Sequence, residues 1–284
     1  MKRSPSKRGF VPAFKKNKLG MVGLVGVALF IMVGLAAPLL AAYPKGYGTE
    51  LYMKPSLLHP FGTDGLGLDI LSQIIWGART SIYVSFVAVL LAFAIGVPAG
   101  LVSGYFKGWA GGVIDTLIDV FLTLPILPLI IVIAAVIGSS IGNVAVVIGL
   151  FSWPSLARVT RNATLRVSEM QFVEAARCLG IKKRAILFKH ILIVIIGPIL
   201  VNLTLVMATS VLSEAGLSFL GLGDPTTWSW GTIIKKAWDA GAVIDTPNPW
   251  WWWFSPSMAI ILYVVCFNSL GNAINDALNP KSRD

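Results

Sequence analysis

The chain has 284 residues, of which 56% are hydrophobic and only 13% charged, with a mean hydropathy of +0.77. Soluble domains carry about 25% charged residues, so these values exclude a soluble globular domain and indicate an integral membrane protein. The net charge of +10 does not imply a nucleic-acid partner, because the basic residues flank apolar stretches and form no aromatic-interleaved patch. Membrane orientation and anionic headgroups account for them.

Residues 1–18 form a basic tail. The apolar run behind it exceeds the usual h-region of about 7–15 residues, so residues 19–43 are expected to be an uncleaved first transmembrane helix rather than a signal peptide. Residues 44–79 are punctuated by Pro and Gly and predict an extracytoplasmic loop, in which LDILSQIIWGA has the periodicity of a short interfacial helix. Residues 80–278 form the core. About 20 mostly apolar residues cross the hydrocarbon as a helix, and the charge-free windows Thr80–Lys107, Ile191–Ser213 and Thr246–Asn275 each hold one. Val120–Ala157 is too long for one span and is broken by GSSIGN (Gly138–Asn143), so it reads as a hairpin whose first helix starts near Val113. The fold class is therefore an all-α membrane protein with six transmembrane helices, five of them in the core, and residues 279–284 form a second tail.

Lys and Arg set the orientation, since cytoplasmic loops retain positive charge. With the N-terminus inside, the cytoplasmic segments hold seven in the tail, Lys107, eight between Arg158 and Lys189, and two after Pro280. Only Lys45, Lys54, Arg79, Lys235 and Lys236 fall outside. Both termini are expected in the cytoplasm.

Within the spans, Gly96, Gly100 and Gly104 recur every four residues and place three missing side chains on one helix face, which predicts a close helix contact. Pro98 is expected to bend the helix beside them. Asp115 and Asp119 lie one turn apart near the cytoplasmic end of the third span. Intramembrane carboxylates are functional candidates, and the plainer reading is compensation of the helix dipole. Pro125 and Pro128 predict a kink. Glu214 ends the fifth span, where a carboxylate can bind a cation or proton, or can hold the adjoining Gly-rich loop by hydrogen bonds; the second role is favoured. Trp250–Trp253 read as an interfacial belt just outside the last span. Two distant His and two Cys without a CxxC support neither a metal site nor a disulfide framework.

A polar segment over 167–190 breaks the apolar pattern. Ser168 followed by Gln171 has the signature of a capping box, and Gly180 can supply a left-handed C-terminal cap. The segment is expected to be a helix, a Gly turn and a second helix that runs into the fifth span. Met170, Val173 and Ala176 share one face, while Glu169 and Arg177 point elsewhere, which gives the outline of a docking knob.

The run EAARCLG, Glu174–Gly180, resembles the EAA loop of permease subunits of binding-protein-dependent ABC importers. In that pattern EAA, three residues and Gly are followed, nine residues on, by I-x-L-P; here His190 holds the Ile position, Leu192 fits, and Ile193 replaces the Pro. HPFGTDGLGLD (His59–Asp69), GARTSIYV, DTLIDVFLTLP, WPSLARVTRNATL, SEAGLSFLGLG and FNSLGNAINDALNP are similar, in order, to the second, C-type permease of the dipeptide, oligopeptide and nickel group. Leu68 stands where that group has Arg, and Asn272 and Asn279 stand where Asp is common. The resemblance spans roughly residues 15–281.

It implies a type I ABC importer transmembrane domain in a prokaryotic inner or plasma membrane, forming half of a path for peptides, oligosaccharides or nickel complexes. The implied partners are a homologous second permease, two cytoplasmic ABC ATPase subunits and an extracytoplasmic solute-binding protein. The ATPase-coupling loop would comprise Glu174, Ala175, Ala176, Arg177, Leu179 and Gly180, with Glu174 meeting a basic residue of the ATPase. The chain has no GxxxxGK[ST] phosphate loop, so ATP and Mg would be used by the partners and no cofactor by this chain, which is expected not to be an enzyme. The competing reading is a self-sufficient proton-coupled carrier working through Asp115, Asp119 or Glu214; the chain shows no inverted repeat of the kind such carriers use.

Overall fold

A computed structural model describes residues 14–106, 108–244 and 249–278. The basic tail up to residue 13, Lys107, the start of the Thr246–Asn275 window and the tail 279–284 lie outside the described residues. Among the described residues the named elements are all helical: α1 (Lys18–Leu40), α2 (Ile70–Tyr105), α3 (Trp109–Thr123), α4 (Ile126–Ile137), α5 (Ile141–Ser168), α6 (Gln171–Cys178), α7 (Lys183–Phe219), α8 (Trp230–Asp239) and α9 (Trp250–Leu278).

Five of these, α1, α2, α5, α7 and α9, are long and apolar enough to cross a membrane. The sixth expected span is broken: α3 and α4 meet at 87°. Pro125 causes the break, since it caps α4 in extended backbone and the residue before a proline is pushed out of the helical region. The pair counts as one span only in this bent form.

Polar caps decide where the helices begin. Asn17 accepts the Gly20 N–H at 3.0 Å to open α1. Asp69 accepts the Ser72 N–H and hydroxyl, both at 2.8 Å, to open α2, and Ser140 accepts the Asn143 N–H at 3.1 Å to open α5. Such caps satisfy amides that have no partner within the helix. Because Asp69 caps a helix that continues unbroken to Tyr105, the expected interfacial helix is not a separate element. At about 1.5 Å per residue α2 spans roughly 54 Å, far more than the hydrocarbon thickness, so its first turns belong to the loop layer. The first helix likewise stops at Leu40, short of the expected residue 43.

Helices α2 and α5 run side by side in the same direction, since Gly96, Gly100 and Gly104 meet Trp153, Ala157 and Arg161 in order, while α1 runs opposite to α9, with Gly20 against Ala273 and Gly23 against Cys266. Tyr105, α6 and the end of α9 therefore gather at one end of the bundle, and residues 41–69, 138–140 and α8 at the other. The α2–α5 pair makes the most extensive helix contact, α7 packs on both, and α9 packs between α1 and α7. The packed aromatic centre lies near α8, where Trp230 and Tyr263 are fully buried and meet Phe30 edge-on at 5.7 and 5.5 Å. Trp251 and Trp252 are buried in the same cluster. The four-Trp run thus forms the first turn of α9, and half of it faces protein rather than a lipid boundary.

Candidate coupling site and buried polar groups

The loop end of the bundle is built on α6. The capping box expected of Ser168 and Gln171 does not form. Helix α5 continues through Ser168, whose hydroxyl donates to the Leu165 carbonyl at 2.9 Å, a bond that helical serines make readily to their own preceding turn. Met170 takes the N-cap position without a side-chain bond and is 45% exposed, off the face it was expected to share with Val173 and Ala176.

The other end of α6 closes as a Schellman motif. Gly180 N–H donates to Arg177 O at 3.0 Å and Ile181 N–H to Ala176 O at 3.1 Å, with Gly180 at φ +71°, where a Cβ is disfavoured. Val173 and Ala176 are buried in one cluster with Ile186, Leu187 and Ile191 of α7. Glu174, Ala175, Cys178 and Leu179 are left exposed, Leu179 at 79%.

Arg177 turns away from this outward face. Its guanidinium lies 4.8 Å from the Tyr105 ring centre and its Nε donates to the Tyr105 hydroxyl at 3.2 Å, which ties α6 to the end of α2. Beyond Gly180 the chain re-enters helix at Lys183, passes through a π-helical stretch at Ile186–Ile191, and runs on through Ile193 without a break. The π-helical stretch, a local widening of the helix, ends two residues before the position where the permease pattern has Pro.

Gly96, Gly100 and Gly104 all face α5. A Cβ built on them would lie 2.7 Å from Trp153 O, 2.5 Å from Ala157 O and 2.7 Å from Arg161 O respectively. The two backbones are in contact along this line.

Asp115 and Asp119 meet two residues that the sequence reading did not single out. Arg161 pairs with Asp115 through Nε and an Nη, each at 2.7 Å. Arg158 pairs with Asp119 and reaches Asp115 at 3.5 Å. Helix α3 begins at Trp109, so both carboxylates lie past its first turn, where the dipole no longer acts. The dipole reading is replaced by an ion-pair ladder from α3 to α5. Its sequence signal was the R-x-x-R of Arg158 and Arg161, which matches the one-turn spacing of the aspartates.

At the opposite end Glu214 is buried and accepts from the hydroxyls of Ser218 at 2.7 Å and Ser81 at 3.3 Å. It joins α7 to α2 beneath the loop that leads into α8, whose Ser229–Thr232 capping box lies beside it. Asp64, in the HPFGTD stretch, was also missed. It is 1% exposed and accepts the Leu66 and Leu68 N–H groups, both at 2.8 Å, and the Gln73 side chain at 2.6 Å. His59 contacts Asp69 at 3.0 Å, so this loop is folded onto the start of α2. Nearby on α8, burial lowers the pKa of Lys236, which Asp64 partly opposes; its ammonium lies 3.5 Å from the Trp228 ring centre.

The candidate residues therefore do not form one site. The coupling loop and the glycine face are linked through α2 and α5, Asp115 and Asp119 sit on the flank of α5, and Glu214 lies at the far end of α7.

Residues 96–284 match the family of binding-protein-dependent transport system inner membrane components, and residues 8–60 match the N-terminal TM domain of oligopeptide transport permease C. The chain is 36% identical to the dipeptide transport system permease protein of Alkalihalophilus pseudofirmus over 99% of its own length and 91% of that protein's. It is 38% identical to the glutathione transport system permease protein of Escherichia coli O157:H7, over 94% and 88%. In fold it is similar to a chain of the MetNI methionine ABC transporter in an inward-facing conformation, with a TM-score of 0.61 over 74% of this chain and 98% of that one at 18% identity.

Proposed function

Because the chain belongs to the family of binding-protein-dependent transport system inner membrane components and is a permease subunit of an ABC importer, we propose that its cargo is a short peptide and that α6 is its contact with the ATPase. The relatives' dipeptide and glutathione cargoes support the first part. One observation carries the second: α6 is anchored by Val173, Ala176 and Arg177, yet presents Glu174, Ala175 and Leu179 to solvent beyond the bundle. A short helix ordered from beneath and bare above is suited to a preformed groove on another protein.

In this reading a homologous second permease completes the path, two ATPase subunits supply energy from ATP and Mg, and an extracytoplasmic binding protein delivers cargo. The chain itself binds no cofactor. Both termini and α6 lie on the cytoplasmic side, consistent with the distribution of Lys and Arg. Gly180 sets the angle at which α6 projects, and the Gly96–Gly104 line couples movement of α2 to α5, from whose end α6 hangs. The three intramembrane carboxylates are taken up by Arg158, Arg161, Ser81 and Ser218, an arrangement that does not favour the proton-coupled carrier.

The test is isolation of the tagged chain from its native membranes in mild detergent, followed by mass spectrometry and ATPase assay. Recovery of a second permease and of ATPases with phosphate loops is expected, and Glu174→Lys should release the ATPases while the permease pair is kept. Uptake by this chain alone in vesicles without ATP would overturn the proposal.

A further inference from the structure

At the end of the bundle opposite α6, a cleft of about 370 Å³ opens between α2, the start of α5 and the loop before α8. Its walls are Tyr43, Trp76, Tyr83 and Trp228, with Arg79 and Thr227 among them. The polar ring atoms of Tyr43, Trp76 and Trp228 are committed elsewhere. Trp76 Nε1 donates to Ala41 O at 3.1 Å, Trp228 Nε1 to Pro44 O at 2.9 Å and the Tyr43 hydroxyl to Thr226 O at 2.9 Å. Tyr43 and Trp76 brace each other edge-to-face at 4.9 Å. The rings are held in place and offer apolar faces.

Arg79 differs. Its guanidinium lies 5.7 Å from the Trp76 ring centre, and among the described residues no carboxylate stands within ion-pair distance of it. Arg158 and Arg161, by contrast, are paired with Asp119 and Asp115. A cavity of this size, mostly aromatic, with the exposed Arg79 guanidinium at its wall and Thr80 and Thr227 beside it, has the composition of a small-ligand site, and a planar guanidinium matches a carboxylate bidentately.

We propose that this cleft is a subsite for the C-terminal carboxylate of a short peptide, with Arg79 holding the carboxylate and the faces of Trp76, Tyr43 and Tyr83 holding an adjoining apolar side chain. The proposal rests on the importer reading and adds to it a cargo contact made by the permease itself. Thr80, one residue on, and Glu214 lie together in the small neighbouring cavity beneath the α8 loop, so an occupied cleft would sit directly against the cap of the bundle.

The experiment uses the purified complex without its binding protein, titrated calorimetrically with Ala-Phe and with Ala-Phe amide. Saturable binding of Ala-Phe is expected, weakened about tenfold or more by the amide or by Arg79→Gln, the loss that one charge-assisted hydrogen bond accounts for. Arg79→Lys should retain part of it. No binding of Ala-Phe, equal binding of the two peptides, or wild-type binding in Arg79→Gln would overturn the proposal. So would full competition by inorganic phosphate or by phosphatidylglycerol in nanodiscs, which would make the cleft a headgroup site, or loss of the second permease in both Arg79 variants, which would make it an assembly contact. Failure to recover any ATPase with wild-type protein counts instead against the importer reading.

Discussion

Replacing Gly100 by Ala tests whether backbone contact between α2 and α5 organises the bundle. The new Cβ would stand 2.5 Å from Ala157 O, 2.6 Å from Thr160 Cβ and 3.0 Å from Arg161 N, against an ordinary contact of 3.4–4 Å. Two of the three obstacles are backbone and the third is attached to it directly, so the helices must separate by about 1 Å, and forced separation of a packed pair costs roughly 1–3 kcal/mol. Against this, Ala in place of Gly inside a helix stabilises by about 1 kcal/mol. The net expectation is a loss of up to about 2 kcal/mol. Gly112→Ala is the control, because a Cβ there meets nothing within 4 Å and only the gain of about 1 kcal/mol remains. Thermal unfolding of both variants in one detergent, followed by tryptophan fluorescence, should move the midpoint down for Gly100→Ala and up for Gly112→Ala. A Gly100→Ala protein as stable as the control would refute the reasoning, since the helices would then have had room to spare.

Gly180→Ala should destabilise the end of α6 by about 1 kcal/mol through its left-handed backbone, measured as faster hydrogen exchange at Gly180 and Ile181 and reduced ATPase retention. Glu174→Lys should abolish cargo-stimulated ATP hydrolysis without changing the melting temperature of the permease, as the side chain is exposed and has no partner among the described residues. Glu214→Leu should cost about 1–3 kcal/mol by leaving the Ser81 and Ser218 hydroxyls without their acceptor, whereas Glu214→Gln should keep uptake; a Gln variant that folds and binds ATPase but has lost all uptake would revive an ion-coupled role. Removing Arg161 and Asp115 singly and together in a double-mutant cycle should show coupling of about 1.5–3 kcal/mol, and additive effects would mean that the α3–α5 ladder carries no energy.

Legibility in the sequence followed the range of each interaction. The spans were readable because an apolar run of sufficient length has few alternatives in lipid, and the Gly180 turn was readable because its Schellman bonds close within six residues. Ser168 misled for a related reason. A hydroxyl followed three residues later by Gln describes a cap only if the preceding helix has ended, and α5 had not. The split into α3 and α4 was signalled by Pro125, but an 87° turn is more than a proline kink. It follows from the extended backbone that Pro125 imposes on Leu124.

The pairings were beyond the sequence. Asp115 and Asp119 show their spacing, yet nothing local says that Arg158 and Arg161 lie opposite, because that depends on how α3 folds back on α5. Trp250–Trp253 look like a lipid boundary until the folded 44–69 loop covers Trp251 and Trp252. Arg79 is one of five cations that the charge pattern assigns to the outer side, and it acquires meaning only when Tyr43 and Trp228, from two distant segments, close around it with Trp76.

By itself the sequence determined the membrane class, the five long spans and the exposed α6 motif, since hydropathy, charge and turn chemistry act over a few residues at a time. Tertiary structure alone decided which buried charge meets which, where the tryptophans point and where a cleft opens. Those outcomes depend on relative helix rotation and depth, which packing of the whole bundle sets and no single segment encodes.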